Sequence, residues 1–208
     1  MGDCHEMSQP TVSRCVRSVS VKIADLAVEY ITFPQPAEGE VAMQQFSLIA
    51  GMPGVIGWPG SAHDARIFNE SQLCQRLQGG HYRGFLLGDN GYPCRSYLLT
   101  PFLSPRSDKE RNYNFSHIRT RNTIERAFGV LKRRFAVLSI PMRIALETSK
   151  KAIIACAVLH NIAVLYRVPF DDFVAMVPDD PPLIPVQDPR NNVQGGHARR
   201  EQIVHNFF

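Results

Sequence analysis

The hydrophobic positions of this chain change period several times, and each change predicts an element. From Ser8 a helical spacing runs through Val19, Ile23 and Leu26 to about Ile31. Ser8 is placed to be an N-cap, with Pro10 in the first turn, where its missing N–H is harmless. Phe33-Pro34-Gln35-Pro36 ends that stretch. A second amphipathic segment (Val41, Phe46, Ile49) stops at the turn residues Gly51-Met52-Pro53-Gly54. Val55-Ile56-Gly57 then predicts a buried strand running directly into Trp58-Pro59-Gly60, another turn signal.

Asp64 to Leu77 predicts one helix, broken by Gly79-Gly80. Phe85-Leu86-Leu87 is a short, wholly apolar strand ending at Gly88-Asp89, where an acid can leave the core and meet solvent. Pro93 to Phe102 reads as turn-rich with one short helix. From Ser116 to Leu138 the positions Ile124, Phe128, Leu131, Phe135 and Leu138 mark one apolar helical stripe. Lys150 to Val168 is apolar almost all round, which predicts a buried helix. From Val177 the chain is dominated by Pro, Asp, Asn and Gly, and this tail is expected to be disordered.

Composition adds bounds to that outline. With 208 residues, 44% hydrophobic and 20% charged, the chain is one domain or one and a half, large enough to bury a core. A net charge of +4 permits nucleic-acid binding without demanding it. The five cysteines are odd in number and lack a C-x-x-C spacing, which argues against a disulfide scaffold or zinc knuckle and for a reducing compartment. No charged-then-apolar leader opens the chain, and no apolar run approaches the ~20 residues of a membrane helix. An intracellular protein without a membrane partner is the expectation.

The candidate chemistry rests on two acids. Asp89 ends a buried strand, and Glu125 lies on the flank of the Ile124/Phe128/Leu131 stripe, with Arg121 one turn before it and Lys132 two turns after. Two carboxylates from separate elements that meet at a sheet edge can hold one divalent cation. A third lets them share a pair, which activates water and neutralises a phosphodiester. Each acid also has a plainer reading. An Asp before Asn-Gly is commonly a turn-former, and a helical Glu four residues after Arg is commonly a surface ion pair. His63, His117 and His160 lack the spacing of a zinc site and read as structural. Arg126 and Arg133, with Arg119 nearby, could track phosphates, although a solvated helix face is the default for such charges.

Five words in order give these acids a context: Trp58-Pro59-Gly60-Ser61-Ala62-His63-Asp64; Leu87-Gly88-Asp89-Asn90-Gly91-Tyr92 with Leu98-Leu99-Thr100-Pro101; Tyr113-Asn114-Phe115-Ser116-His117; Ile124-Glu125-Arg126-Ala127-Phe128-Gly129-Val130-Leu131-Lys132; and Val158-Leu159-His160-Asn161. Together they resemble the DDE-type endonucleases of the PIF/Harbinger transposase superfamily, over most of Ser8 to Ala163. The resemblance implies an α/β, RNase H-like fold, helix-rich here, and DNA strand cleavage with Mg²⁺ or Mn²⁺. Carried over residue by residue, Asp89 is the second catalytic and metal-binding acid and Glu125 the third. It also implies DNA and a Myb/SANT-type nuclear protein as partners, and the nucleus, with the cytoplasm as a second compartment.

One departure stands inside the pattern. In the family the strand matching Gly51 to Gly57 leads to the first catalytic Asp, and two more strands follow before the Trp-Pro-Gly-Ser word. Here Gly57 is joined straight to Trp58, so the opening strands of the RNase H-like fold are expected to be missing. Asp64 belongs to a family word without being a member of the triad. Residues 1–32 then read as a remnant of a helix-turn-helix region and 33–57 as a linker helix with the first core strand. Residues 58–168 read as an incomplete endonuclease core, and 169–208 as the tail. The loss should also leave the Phe85–Leu87 strand with an unpaired edge. Two functions follow as expectations: an impaired metal-dependent DNA endonuclease, or an inactive nuclear DNA- or protein-binding remnant.

Overall fold

A computed structural model describes residues 8–59, 65–169 and 195–208. It is helix-rich with one small parallel sheet, as expected of an α/β endonuclease domain. The described residues fall into two compact units. One gathers those of Met1–Phe33 and Arg126–Val177, and the other those of Pro34–Glu125 and Pro178–Phe208.

The second unit is organised by the sheet, of strand order β1 (Val55–Gly57), β2 (Phe85–Leu87) and β3 (Leu98–Leu99), all parallel. Every strand residue is buried, which is why these segments read as continuous apolar runs rather than as alternating ones. Val55, Phe85, Leu87 and Leu99 share one core with Met52, Cys94, Tyr113, Ile203 and Val204. The strand β2 is central and pairs on both sides. The expected unpaired edge of Phe85–Leu87 is therefore corrected: β3 covers one side and β1 the other.

A 3₁₀ turn (Pro36–Glu38) leads into α3 (Gly39–Ala50) beside β1; two helices precede it in the chain and are described below. Gly51, at φ 71°, closes that helix in a left-handed conformation, with its N–H donating to the Ser47 carbonyl at 2.7 Å. Phe46 meets the Trp58 ring edge-on, 4.8 Å between centroids. Asp64 lies outside the described residues. The helix expected from there to Leu77 is two helices, α4 (Ala65–Asn69) and α5 (Gln72–Gln78). Ser71 splits them by capping α5, its hydroxyl accepting from the Cys74 N–H at 3.1 Å. Between Pro93 and Phe102 the expected short helix is replaced by β3.

The long helix α6 (Asp108–Arg134) begins eight residues earlier than its apolar stripe indicated. Its buried residues are Tyr113, Asn114, Ser116, His117, Thr120 and Asn122, whereas Phe128 is exposed. The stripe is thus not the buried face. On the side that packs, Tyr113, Asn114 and His117 bond backbone groups, and an apolar count misses such a face. After α6 come a 3₁₀ turn (Ala136–Ser139) and α7 (Leu146–Leu165). The tail expectation is corrected for residues 195–208, which form α8 (Gly196–Phe207); residues 170–194 lie outside the described residues. Ile203 and Val204 of α8 enter the core of the second unit, and Phe208 packs edge-on against Tyr113 at 5.9 Å.

The first unit is helical. The N-terminal segment is broken at Asp25–Leu26 into α1 (Gln9–Ala24) and α2 (Ala27–Tyr30), and both pack on α7. Ser8 precedes α1 as its N-cap without a side-chain bond to the backbone, its hydroxyl pairing with that of Thr11 at 2.9 Å. Lys151 pairs with Asp25 at 3.3 Å, and the Asn161 amide donates to the Tyr30 carbonyl at 2.7 Å. The expectation of a buried α7 is overturned. Only Ala155, Cys156 and Val158 are buried, while Ile153, Leu159, Val164 and Leu165 are exposed. Two thin helices cover one side of a helix that is apolar all round. By length and composition α7 could cross a membrane, a segment the sequence reading did not foresee. Its first turns nevertheless carry Glu147, Lys150 and Lys151.

Candidate active site

The sheet fixes Asp89. The Gly88 N–H donates to the Leu99 carbonyl at 2.9 Å, so pairing with β3 continues one residue past β2. A side chain at Gly88 would meet Leu98 at 3.0 Å and Tyr92 at 3.3 Å, hence a glycine at this close approach. The chain then turns. Asp89 Oδ1 accepts from the Gly91 N–H at 3.0 Å and its carbonyl from the Tyr92 N–H at 3.1 Å. The plain reading of this Asp, a turn-former, is met by one of its carboxylate oxygens. The other oxygen points elsewhere.

What brings α6 to this edge is a set of side chains on its first half. Asn114 acts as a short piece of strand: its Oδ1 accepts from the Phe102 N–H and its Nδ2 donates to the Phe102 carbonyl, both at 2.8 Å. The Tyr113 hydroxyl donates to the Thr100 carbonyl at 3.3 Å. His117 Nε2 lies 3.2 Å from the Leu99 carbonyl, which requires the tautomer with its proton on Nε2. Burial pushes the His117 pKa down from 6.5 to about 4, against the pull of that carbonyl and with Arg121 and Arg200 adding to the fall. A neutral imidazole therefore holds α6 on the end of β3. Behind residues 100–102, Arg200 of α8 donates to the carbonyls of Thr100 and Pro101 at 3.2 and 3.1 Å and stacks over Phe102.

One turn beyond His117 the helix delivers Arg121, and one turn further Glu125. A single nitrogen of Arg121, Nη2, lies 3.3 Å from Glu125 Oε1 and 3.8 Å from Asp89 Oδ2. The two acids singled out from the sequence, 36 positions apart by their numbers, thus converge on one point. Asp89 and Arg121 are three-quarters shielded, and Glu125 is half exposed. Both acids offer the hard oxygen ligands that Mg²⁺ and Mn²⁺ take. Among the described residues no group of three or more acids, histidines or cysteines could hold a metal ion. Asp89 and Glu125 are thus the two oxygen donors that the described residues bring to this point. His63 and Asp64 lie outside the described residues, while Arg126 and Arg133 are exposed.

Sequence reasoning noted Arg121 only as a neighbour of Glu125, and it missed Asn114, Arg199 and Arg200. Asn114 and His117 sit in the word Tyr113-Asn114-Phe115-Ser116-His117, so a signal existed without a physical role attached. For Arg199 and Arg200 the signal was the pairing Arg199/Ile203 and Arg200/Val204 at helical spacing after Gly195-Gly196.

Residues 54–161 match the family model described as DDE superfamily endonuclease. The protein named "Putative nuclease HARBI1" from Homo sapiens is 29% identical over 214 residues, an alignment covering 78% of this chain and 61% of the relative. Its Mus musculus counterpart is 30% identical with the same coverage. "Protein ALP1-like" from Arabidopsis thaliana is 26% identical over 148 residues, covering 62% of this chain and 34% of that protein. The chain thus spans about 61% of the length of the first two relatives. No solved structure matches it. The matched stretch contains the sheet, Asp89, Arg121 and Glu125, and on this ground the chain belongs to the DDE superfamily endonucleases, in their Harbinger transposase-derived branch.

Proposed function

We propose that this chain is a DNA nuclease core of Harbinger descent, in which Asp89 and Glu125 are the acids that take a divalent cation, Mg²⁺ or Mn²⁺. The observation carrying this reading is the convergence of both carboxylates on one cationic nitrogen. A bound cation would supply water activation and neutralise the phosphodiester. The chain's own residues prepare the place. The β2–β3 pairing and the Asp89–Gly91 turn aim one Asp89 oxygen at α6, and Asn114 and neutral His117 hold α6 at the strand ends. The family's first catalytic Asp has no counterpart here, because Gly57 passes directly to Trp58, so cleavage is expected to be weak. The truncated RNase H-like core is read the same way: β1, β2 and β3 keep a parallel sheet, and the strands of the family pattern between Gly57 and Trp58 are missing.

The test is nicking of supercoiled plasmid by the purified chain with Mn²⁺ or Mg²⁺. Slow, metal-dependent nicking that is lost in both Asp89→Asn and Glu125→Gln is expected. Absence of nicking by the wild-type chain would overturn the reading. It would favour the second one, an inactive remnant that binds DNA or a Myb/SANT-type nuclear protein, which the missing first acid motivates. DNA as substrate and the nucleus as compartment, with the cytoplasm second, are proposed from the family resemblance.

A further inference from the structure

The geometry points to Arg121 as a resident cation: its guanidinium occupies the space between Asp89 and Glu125, holds the acid pair together without metal, and competes with a divalent ion for it. This inference rests on the reading of the two acids as a cation site and adds what regulates that site.

Three observations carry it. First, the same nitrogen, Nη2, faces both acids, 3.3 Å from Glu125 Oε1 and 3.8 Å from Asp89 Oδ2. Two unrelated surface ion pairs would have no reason to share one atom. Second, the pair is poorly arranged for stabilising α6. Arg precedes Glu by four residues, the weaker order for a helical pair, and Glu125 is half exposed. Third, Arg121 projects from the turn after His117 and Thr120, both fully buried, so its backbone is fixed while its side chain keeps about a quarter of its surface in solvent. The charge is anchored at its base and free to turn at its tip.

The chemistry then follows. Two carboxylates close together repel unless a positive charge lies between them. Arg121 supplies that charge through its planar guanidinium, whose fork suits carboxylates. It yields the place by rotating away. Carboxylate–nitrogen separations of 3.3 and 3.8 Å also exceed the ~2.1 Å of a Mg²⁺–oxygen bond. Loading a metal therefore requires the guanidinium to leave and the carboxylates to draw in. With the family's first acid lacking, the site carries two negative charges against one fixed positive charge, which weakens the field available to a divalent ion.

Mn²⁺ binding by the full chain, followed by the electron paramagnetic resonance signal of the free aqua ion, tests this. The wild type, Arg121→Gln, Arg121→Lys and the double variant Arg121→Gln/Asp89→Asn are compared, each checked for fold by circular dichroism. Arg121→Gln is expected to bind Mn²⁺ about tenfold or more tightly than wild type, since a positive charge within ~4 Å is removed. Arg121→Lys, which keeps the charge, should stay near the wild type, and the double variant should lose the gain. If Arg121→Gln binds no more tightly while wild-type binding still depends on Asp89, the inference fails and the cation site stands. Absence of any Asp89-dependent Mn²⁺ binding in both proteins sinks the cation site, and the inference with it. Should Arg121→Gln fail to fold, Arg121→Met, which keeps the aliphatic stem, is read by the same criteria.

Discussion

In the unit that carries the acids, every strand residue is buried, and the polar face of α6 finds its partners in the backbone of residues 99–102. In the unit built on α1 and α7, Leu165 and Leu146 are 66% and 69% exposed, on a helix apolar enough to have been expected in a core. An apolar hollow of about 510 Å³, lined by Val137, Ile140, Pro141, Met142 and Ile144 with Arg143, adds to that surface. The difference is one of partners rather than composition. A sheet offers two faces and receives helices on them, whereas α7 packs chiefly against the two helices α1 and α2 among the described elements. Burial of an apolar segment is decided by what the rest of the chain can lay against it.

The sheet unit depends on pieces distant in sequence. Removing residues 195–208 deletes Ile203, Val204 and Phe208 from the core and the Arg199 and Arg200 bonds to the carbonyls of Arg83, Ser96, Thr100 and Pro101. At roughly 1.5–3 kcal/mol for each apolar side chain, the loss is about 5 kcal/mol or more, comparable to the whole stability of a domain. Thermal melts should lose the cooperative transition of this unit. An unchanged melt would show that α8 is a passenger.

Paired truncations bring the contrast to single residues. Leu87→Ala, in the middle of the buried sheet core, is expected to cost about 2–5 kcal/mol in denaturant unfolding. Leu165→Ala, at the exposed end of α7, should stay within about 0.5 kcal/mol of wild type. Equal costs would mean that α7 is covered in solution by something the described residues do not provide.

The sequence made β1 and β2 legible because they are apolar runs between Gly and Pro signals, and it made Asp89 legible because β2 runs into it; β3, two residues long, was hidden in a stretch that reads as turn and short helix. It misjudged α6 and α7 for opposite reasons. The buried face of α6 includes Asn114 and His117, which bond the backbone of Phe102 and Leu99 and are buried for that reason and not for their hydrophobicity. In α7 the hydrophobicity is real but unspent, since no pattern within a helix reports how many neighbours it will have. The convergence of Asp89 and Glu125 could be named from family words, yet the atom on which they converge, Arg121 Nη2, needed coordinates. The role of α8 was hidden by the polar, Pro-rich stretch before it, which coloured the reading of the whole tail.

Two histidines, one in each unit, give the finest test. His117 is fully buried, its Nδ1 lacks a hydrogen-bond partner, and its pKa falls from 6.5 to about 4. His160 is only partly buried, and its pKa is lowered by burial and then by Arg134. In both cases the unfolded chain takes up its proton at a higher pH than the folded one. Stability from each is complete above pH 6.5 and is lost as pH falls through the interval below it, which for His117 extends to about pH 4. A shift of that size corresponds to up to about 3 kcal/mol lost across the interval. Urea unfolding at a series of pH values should therefore show a steep acid-side decline in the wild type. Replacing His117 by Gln, whose amide can still donate to the Leu99 carbonyl, should flatten most of that decline, and His160→Gln should flatten less of it. An acid-side slope that survives His117→Gln and vanishes in His160→Gln would reverse the ranking, and make the helical unit the one whose interior is closed to water.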